Sequence, residues 1–261
     1  MRRAPERSRA TGTSGASLEC HEVSVVYSGL VALEKASISL SRGEVVGLIG
    51  PNGAGKTTFV NAVSGFAPMS GGRVVLDGRD LGGLSPEQRA RLGLARTFQH
   101  GRLFPGLSVR ENVELGALAV GASQRAARAR AARLLAELDL ADLADRSVAE
   151  LSHGDQQRVS VVRAAAAEPA FLLLDEPAAG LPEAAMAELG KVVWRSSHEG
   201  GAGVVMIDHN VEFVLRLSDR VVVLDHGVVL AEGTPDEIRR HPAVTSAYFG
   251  DRTEPTGERL P

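Results

Sequence analysis

Two stretches of this chain hold residues whose types and spacing could do chemistry. The first is Gly50-Pro51-Asn52-Gly53-Ala54-Gly55-Lys56-Thr57-Thr58, which fits the phosphate-binding pattern G-x-x-x-x-G-K-[ST]. Its glycines let the backbone curl so that several N–H groups face one anion. A helix starting there adds free N–H groups and the positive end of its dipole. Lys56 supplies a point charge for β- and γ-phosphates, and Thr57 a hydroxyl for a magnesium ion. Lys35, Lys56 and Lys191 are the only lysines among 29 basic residues, and one of the three falls on the motif position. With 29 glycines in the chain, an accidental glycine-rich turn is the competing explanation. The context argues against it: Val45 to Ile49 is an apolar run suited to a buried strand, and Thr57 to Ser64 suits a helix closed by Gly65.

The second stretch is Asp175-Glu176-Pro177, which closes the apolar run Phe171-Leu172-Leu173-Leu174. A carboxylate at a strand end suits magnesium, bound directly or through water. Adjacent residues on a strand diverge, so Asp175 can serve a metal while Glu176 orients or deprotonates water. Alone, the tripeptide would equally be a strand-ending turn.

The elements that must position these groups follow from periodicity and punctuation. Leu18 to Tyr27, Ala36 to Leu40, Arg73 to Leu76 and Leu94 to Phe98 are expected strands. Ser85 to Arg91 is an expected helix, with a capping serine and Pro86 at its first position. From Ser108 to Ala149 strand signals vanish. Ala127, Ala131, Leu134, Leu135 and Leu138 share one helical face, and Arg125, Arg128, Arg130 and Arg133 occupy the others, as on a solvated surface. A polar stretch from Leu151 then enters a helix to Ala167. Phe171 to Leu174 and Gly203 to Ile207 are continuous apolar runs, as in a parallel sheet covered on both faces. Helices are expected from Pro182 to Ser197 and from the Asn210 cap to Leu217. A hairpin turns at Asp225-His226-Gly227, and short helices follow at Pro235 to Arg240 and Ala243 to Phe249. The fold class is therefore α/β: a phosphate-loop core with a mostly parallel, helix-covered sheet, an antiparallel N-terminal β portion and a helical subdomain at about 100–168. Ligands in such sheets sit at the carboxyl ends of strands, which gathers Gly50, Asp175 and His209 at one rim.

Bulk properties narrow the classes. Hydrophobic residues make up 44% and aromatics 4%, so a core must come from Val, Leu, Ile and Ala. A net charge of −3 offers no general attraction for nucleic acid. Cys20 stands alone, which excludes a disulfide framework and suits a reducing compartment. No run of 18 apolar residues occurs. Residues 1–17 read as a disordered tail, although their Arg- and Ser-rich composition overlaps that of organelle transit peptides; 18–250 read as a single domain and 251–261 as a C-terminal tail. The histidines other than His209 show no metal-ligand spacing.

Taken together, the motifs resemble the ATP-binding subunit of an ABC transporter over roughly residues 18–232. The phosphate loop and Asp175-Glu176-Pro177 match in order and spacing. Leu151-Ser152-His153-Gly154-Asp155-Gln156-Gln157-Arg158 resembles the family's LSGGQ signature. Gln99 matches its glutamine loop, His209 its switch histidine, and Tyr27 the aromatic that stacks on adenine. The order of these pieces is the specific signal; a GTPase would need an Asn-Lys-x-Asp that is absent. Leu94-Ala95-Arg96-Thr97-Phe98-Gln99, Asp175 to Leu181, and His241 to Gly250 resemble the branched-chain amino acid importer branch, and importers of urea or short-chain amides share much of this. The resemblance implies an ATPase working as a homo- or heterodimer, with ATP held between the phosphate loop of one subunit and Ser152, His153, Gly154 and Asp155 of the other. It implies ATP and Mg2+ as cofactors, with Thr57, Gln99 and Asp175 around the metal and Glu176, His209 and Gln99 in catalysis. It also implies transmembrane permease subunits, an indirect extracytoplasmic solute-binding protein, no nucleic acid, and a peripheral place on the cytoplasmic face of the inner membrane. A non-transport ABC ATPase is the alternative, though the tandem cassettes or long coiled coil usual there are missing. Three positions depart from the family pattern: His153 stands at a signature glycine, Asp155 at the signature glutamine, and Pro182 at a usual loop aspartate. Asp155 would either weaken ATP binding by its charge or cap the helix that starts there, and capping is the expectation. Asp208 and Asn210, beside the histidine, read as ordinary variation.

Overall fold

In a computed structural model, residues 17–98 and 103–244 are described. Strands β1 (Ser17–Tyr27), β2 (Leu30–Ser41), β4 (Gly71–Leu76) and β5 (Arg79–Asp80) form an antiparallel sheet in the order β2-β1-β4-β5. Ser17, which composition assigns to the tail, is the first residue of β1, and its N–H donates to Asp77 Oδ1 at 2.9 Å. The second sheet takes β3 (Val45–Ile49), β6 (Leu94–Arg96), β7 (Phe171–Asp175), β8 (Gly203–Ile207), β9 (Arg220–Asp225) and β10 (Val228–Gly233) in the order β10-β9-β3-β8-β7-β6. Its pairings are parallel except for the β9–β10 hairpin. Consecutive side chains on a strand face opposite ways, and here both faces are covered. Val45, Ile49, Leu172, Leu174, Val204 and Met206 enter one core, shared with the helical region. Val46, Leu48, Phe171, Leu173, Val205 and Ile207 enter the other, shared with the antiparallel sheet. That is why the three central strands are buried at every residue and read as unbroken apolar runs.

Helices α1 (Lys56–Ser64) and α2 (Pro86–Arg91) precede the helical region. Ser85 caps the N-terminus of α2, as the Ser-Pro signal predicts, and Gln88 completes a capping box there. The region without strand signals contains α3 (Val109–Ala119) and α4 (Gln124–Glu137). Ala127, Ala131, Leu135 and Leu138 are buried and Leu134 partly so, while Arg125, Arg128 and Arg133 are exposed; Arg130, expected on the same solvated surface, is half-buried and paired with Glu168 at 2.8 Å. Then come α5 (His153–Ala165), α6 (Glu183–Trp194), α7 (Val211–Leu217) and α8 (Pro235–Arg240). Helix α7 packs tightly on β3 because Gly47 lacks a Cβ, which would come within 2.4 Å of Val214. Sequence periodicity carries α6 to Ser197. Instead its α-helical part ends at Trp194 and a wider π turn spans Arg195–Glu199, with His198 stacked on Trp194 at 4.8 Å. Strand β6 stops at Arg96 rather than Phe98. The expected last helix, Ala243 to Phe249, lies largely outside the described residues, as does Gln99. Among the described residues, no helix is long and apolar enough to cross a membrane.

Candidate active site

The loop Gly50–Gly55 leaves the carboxyl end of β3 and runs into α1. Gly53 and Gly55 adopt left-handed φ values of 81° and 101°. At Gly55 a side chain is excluded twice over, since a Cβ would also lie 2.6 Å from the Ala32 carbonyl oxygen on β2. The N-terminus of α1 carries no side-chain cap, so its N–H groups are available to an anion. Lys56 is buried, and its Nζ donates to the Gly50 and Pro51 carbonyls of its own loop at 2.6 and 2.9 Å. Burial pulls its pKa below the ordinary lysine value, with the Glu176 charge opposing.

Strand β7 delivers Asp175 to the same rim. Burial pushes its carboxyl above the ordinary aspartate range, against the opposing pull of Arg96, and the Thr57 hydroxyl bonds to it. Thr57 and Asp175 thus bring two hard oxygens together, a chemistry that would suit a magnesium ion. Glu176 is not on the strand. It adopts φ 50°, a left-handed conformation that is uncommon outside glycine, while its N–H still donates to Ile207 on β8 at 2.8 Å. The two carboxylates therefore diverge through a turn rather than through the strand pleat. Such strained residues gather at functional sites. The His209 Nε2 lies 2.7 Å from Glu176 Oε1, and the histidine ring is 55% exposed while the Glu176 side chain is 10% exposed. A buried carboxylate held by an exposed imidazole can orient and deprotonate a water that arrives from solvent.

Asp208, which the sequence presents as incidental, is 4% exposed and organises the turn. Its Oδ2 accepts from the Ala178 N–H at 2.8 Å and its Oδ1 from the Asn210 N–H at 2.9 Å. Burial raises its pKa despite these bonds. It ties the turn that carries His209 to the loop that follows Glu176. A buried acid between an apolar strand and a helix cap was the signal available for it. Asn210 caps α7 through Phe213 N–H, as expected.

Ser152, His153, Gly154 and Asp155 lie apart from this rim, at the start of α5. Ser152 is its N-cap and accepts from Asp155 N–H at 3.1 Å, while the Ser152 hydroxyl donates to Asp155 Oδ2 at 2.7 Å. Arg158 donates to Asp155 Oδ1 at 3.2 Å. The cap is therefore Ser152 and not Asp155, whose carboxylate sits in the first turn with its charge balanced by Arg158 and the Ser152 hydroxyl. His153 Nε2 lies 3.1 Å from the Ala179 carbonyl oxygen, so its neutral Nε2–H tautomer or its cation donates there. Pro182 is the N-cap of α6 and offers no side-chain cap. Tyr27 is the last residue of β1 and 44% exposed, on a hairpin tip with Val26, Leu30 and Val31. Three residues beyond that tip on β2, Leu33 packs against Gly55.

Fold and rim together define a phosphate-loop nucleotide-binding protein. The chain belongs to the ATP-binding subunits of ABC transporters: the ABC transporter family model matches residues 33–179, more than half of the chain. A second model, of the branched-chain amino acid ATP-binding cassette transporter, matches residues 228–254. The chain is 40% identical over 240 residues to the high-affinity branched-chain amino acid transport ATP-binding protein LivG of Salmonella typhimurium, covering 86% of this chain and 94% of that one. A nucleotide-free ATP-binding cassette from an ABC transporter superposes with a TM-score of 0.80 at 28% identity, covering 89% of this chain and 98% of that one. A dimeric post-hydrolysis cassette bound to ADP and Pi superposes with a TM-score of 0.73 at 27% identity, covering 84% and 98%. The family supplies the activity: these subunits hydrolyse ATP to power transport.

Proposed function

We propose that this chain drives an importer of branched-chain or closely related amino acids, with a second ATPase subunit and separate permease subunits at the cytoplasmic face of the membrane. The solute class rests on the match of residues 228–254 to the branched-chain cassette model. In the working dimer the loop from Gly50 to Thr58 binds the phosphates of ATP, and Lys56 turns from its own carbonyls to the β- and γ-oxygens. Tyr27 stacks on the adenine. Thr57, Asp175 and Gln99 would hold the magnesium ion. Magnesium, when bound, neutralises charge on the phosphate oxygens. Glu176 takes a proton from the attacking water, and His209 holds Glu176 and contacts the γ-phosphate. Ser152 to Asp155 of the other subunit close over that phosphate. A solute-binding protein outside the membrane presents the solute, and the dimer is of like or unlike subunits.

The test is solute-stimulated hydrolysis by the complete transporter in vesicles. Leucine, isoleucine or valine should raise the ATPase rate severalfold over the unliganded complex. Stimulation by urea or a short-chain amide alone would move the protein to that importer class, and failure to assemble with any permease would remove the transport role.

A further inference from the structure

Arg96 ends β6, three residues before Gln99, and no role has been given to it. Its side chain is 8% exposed, and its guanidinium is held on all sides. Nη1 donates to Asn61 Oδ1 at 2.8 Å and to Ser64 Oγ at 3.0 Å. Nε donates to the Thr97 carbonyl at 3.2 Å, and Nη2 to Asp175 Oδ2 at 3.2 Å. Two aromatic rings complete the enclosure: the guanidinium carbon is 4.4 Å from the Phe98 ring centre and 5.0 Å from that of Phe66. Those rings meet edge to face at 5.4 Å.

The partners are not arbitrary. Asn61 and Ser64 lie on α1, the helix whose first turn carries Lys56 and Thr57. Asp175 is the carboxylate that the Thr57 hydroxyl bonds. One planar side chain therefore joins the helix carrying one magnesium ligand to the strand end carrying the other. A single ammonium could balance the Asp175 charge. It could not present donors to Asn61, Ser64, Thr97 and Asp175 at once while stacking on two rings.

We propose that Arg96 is a positioning residue for the divalent cation. By holding Asp175 Oδ2 it aims the carboxylate toward Thr57, and its anchors on α1 set the spacing of the two oxygen ligands. The enclosure by Phe66 and Phe98 fixes the guanidinium plane. This rests on the assignment of Thr57 and Asp175 to magnesium made above. Groups that orient metal ligands in this way typically contribute ~10–100-fold in metal affinity.

The experiment is equilibrium binding of a fluorescent ATP analogue to the full chain, in EDTA and across a magnesium titration. Arg96→Met should raise the magnesium midpoint by ~100-fold and Arg96→Lys by ~10-fold, with affinity in EDTA unchanged within about twofold. Asn61→Ala, which removes one strut and leaves the Arg96–Asp175 pair, should shift the midpoint the same way by a smaller factor. It also keeps the proposal open to disproof if Arg96→Met does not fold. An unmoved midpoint in folded Arg96→Lys and Asn61→Ala, or a parallel loss of affinity in EDTA, would overturn the role of Arg96. A wild-type protein whose binding ignores magnesium would overturn the metal assignment itself, and Arg96's role with it.

Discussion

Lys56, Asp175 and Glu176 are buried ionisable groups gathered at one sheet rim, whereas Ser152 and His153 stand exposed at the start of α5. The rim is held by long-range ties. Glu176 bonds across to β8, Asp175 to Arg96, and Asp208 to the loop at Ala178. The start of α5 is held largely by neighbours in sequence, with Ser152 bonded to Asp155 and Asp155 to Arg158, each three residues on. Its longer-range polar ties run only to backbone carbonyls: His153 to Ala179, and Arg158 to Leu138 and Asp139. The difference teaches what each end is built to do. Charges buried together cost free energy unless each is paired, and they are ready to be re-paired by an incoming anion and cation. A capped helix start with balanced charge stores nothing of that kind. On the proposed function, it would meet a ligand held by the other subunit.

Substitutions at the two ends should separate in size and in kind. Glu176→Gln should lower the hydrolysis rate by ~10²–10⁴-fold while ATP binding persists, as measured by steady-state turnover and nucleotide titration. Near-normal turnover would take the general base away from the rim. Asp208→Ala leaves the Ala178 and Asn210 N–H groups without their acceptor, which should cost ~1–3 kcal/mol for each that stays buried. A lowered Tm together with slower hydrolysis is expected, and an unchanged Tm would mean that water replaces the carboxylate. At the other end, His153→Gly should lower the Tm only slightly, by the equivalent of ~1 kcal/mol, since it removes one exposed hydrogen bond. ATP binding by the isolated subunit should be untouched, and a lost affinity there would break the contrast between the two ends.

The smallest effect concerns neither end. Burial pushes the Cys20 thiol from an ordinary 9.0 up to about 12, so it should resist alkylation at pH 8 until the chain unfolds. A folded pKa above the unfolded one contributes stability below pH 9 that fades as pH rises towards 12. Cys20→Ala should flatten that alkaline loss in denaturation curves, and rapid labelling of the native protein would contradict the burial.

Much of the architecture was legible because local chemistry and fold agree. Apolar runs marked β3, β7 and β8, Ser85-Pro86 marked α2, and the glycines from Gly50 to Gly55 marked their own loop. What escaped was non-local. Arg96 looked like one basic residue in a short strand, and Asp208 like a neighbour of a histidine, because their partners lie 79 and 30 residues away. The wider turn after Trp194 also escaped, since nothing in the helical periodicity up to Ser197 forbids an α-helix there.

By itself the sequence determined the kind of ligand and the order of the elements, since a phosphate loop, an apolar strand and a capped helix are each specified by residues close in the chain. Tertiary structure alone decided how the buried charges are paired: Arg96 with Asp175, His209 with Glu176, Asp208 with the loop at Ala178. The reason is dielectric. Away from water a charge is stable only beside its counter-charge or donors, and which groups meet there is set by how sheets and helices pack, not by spacing along the chain.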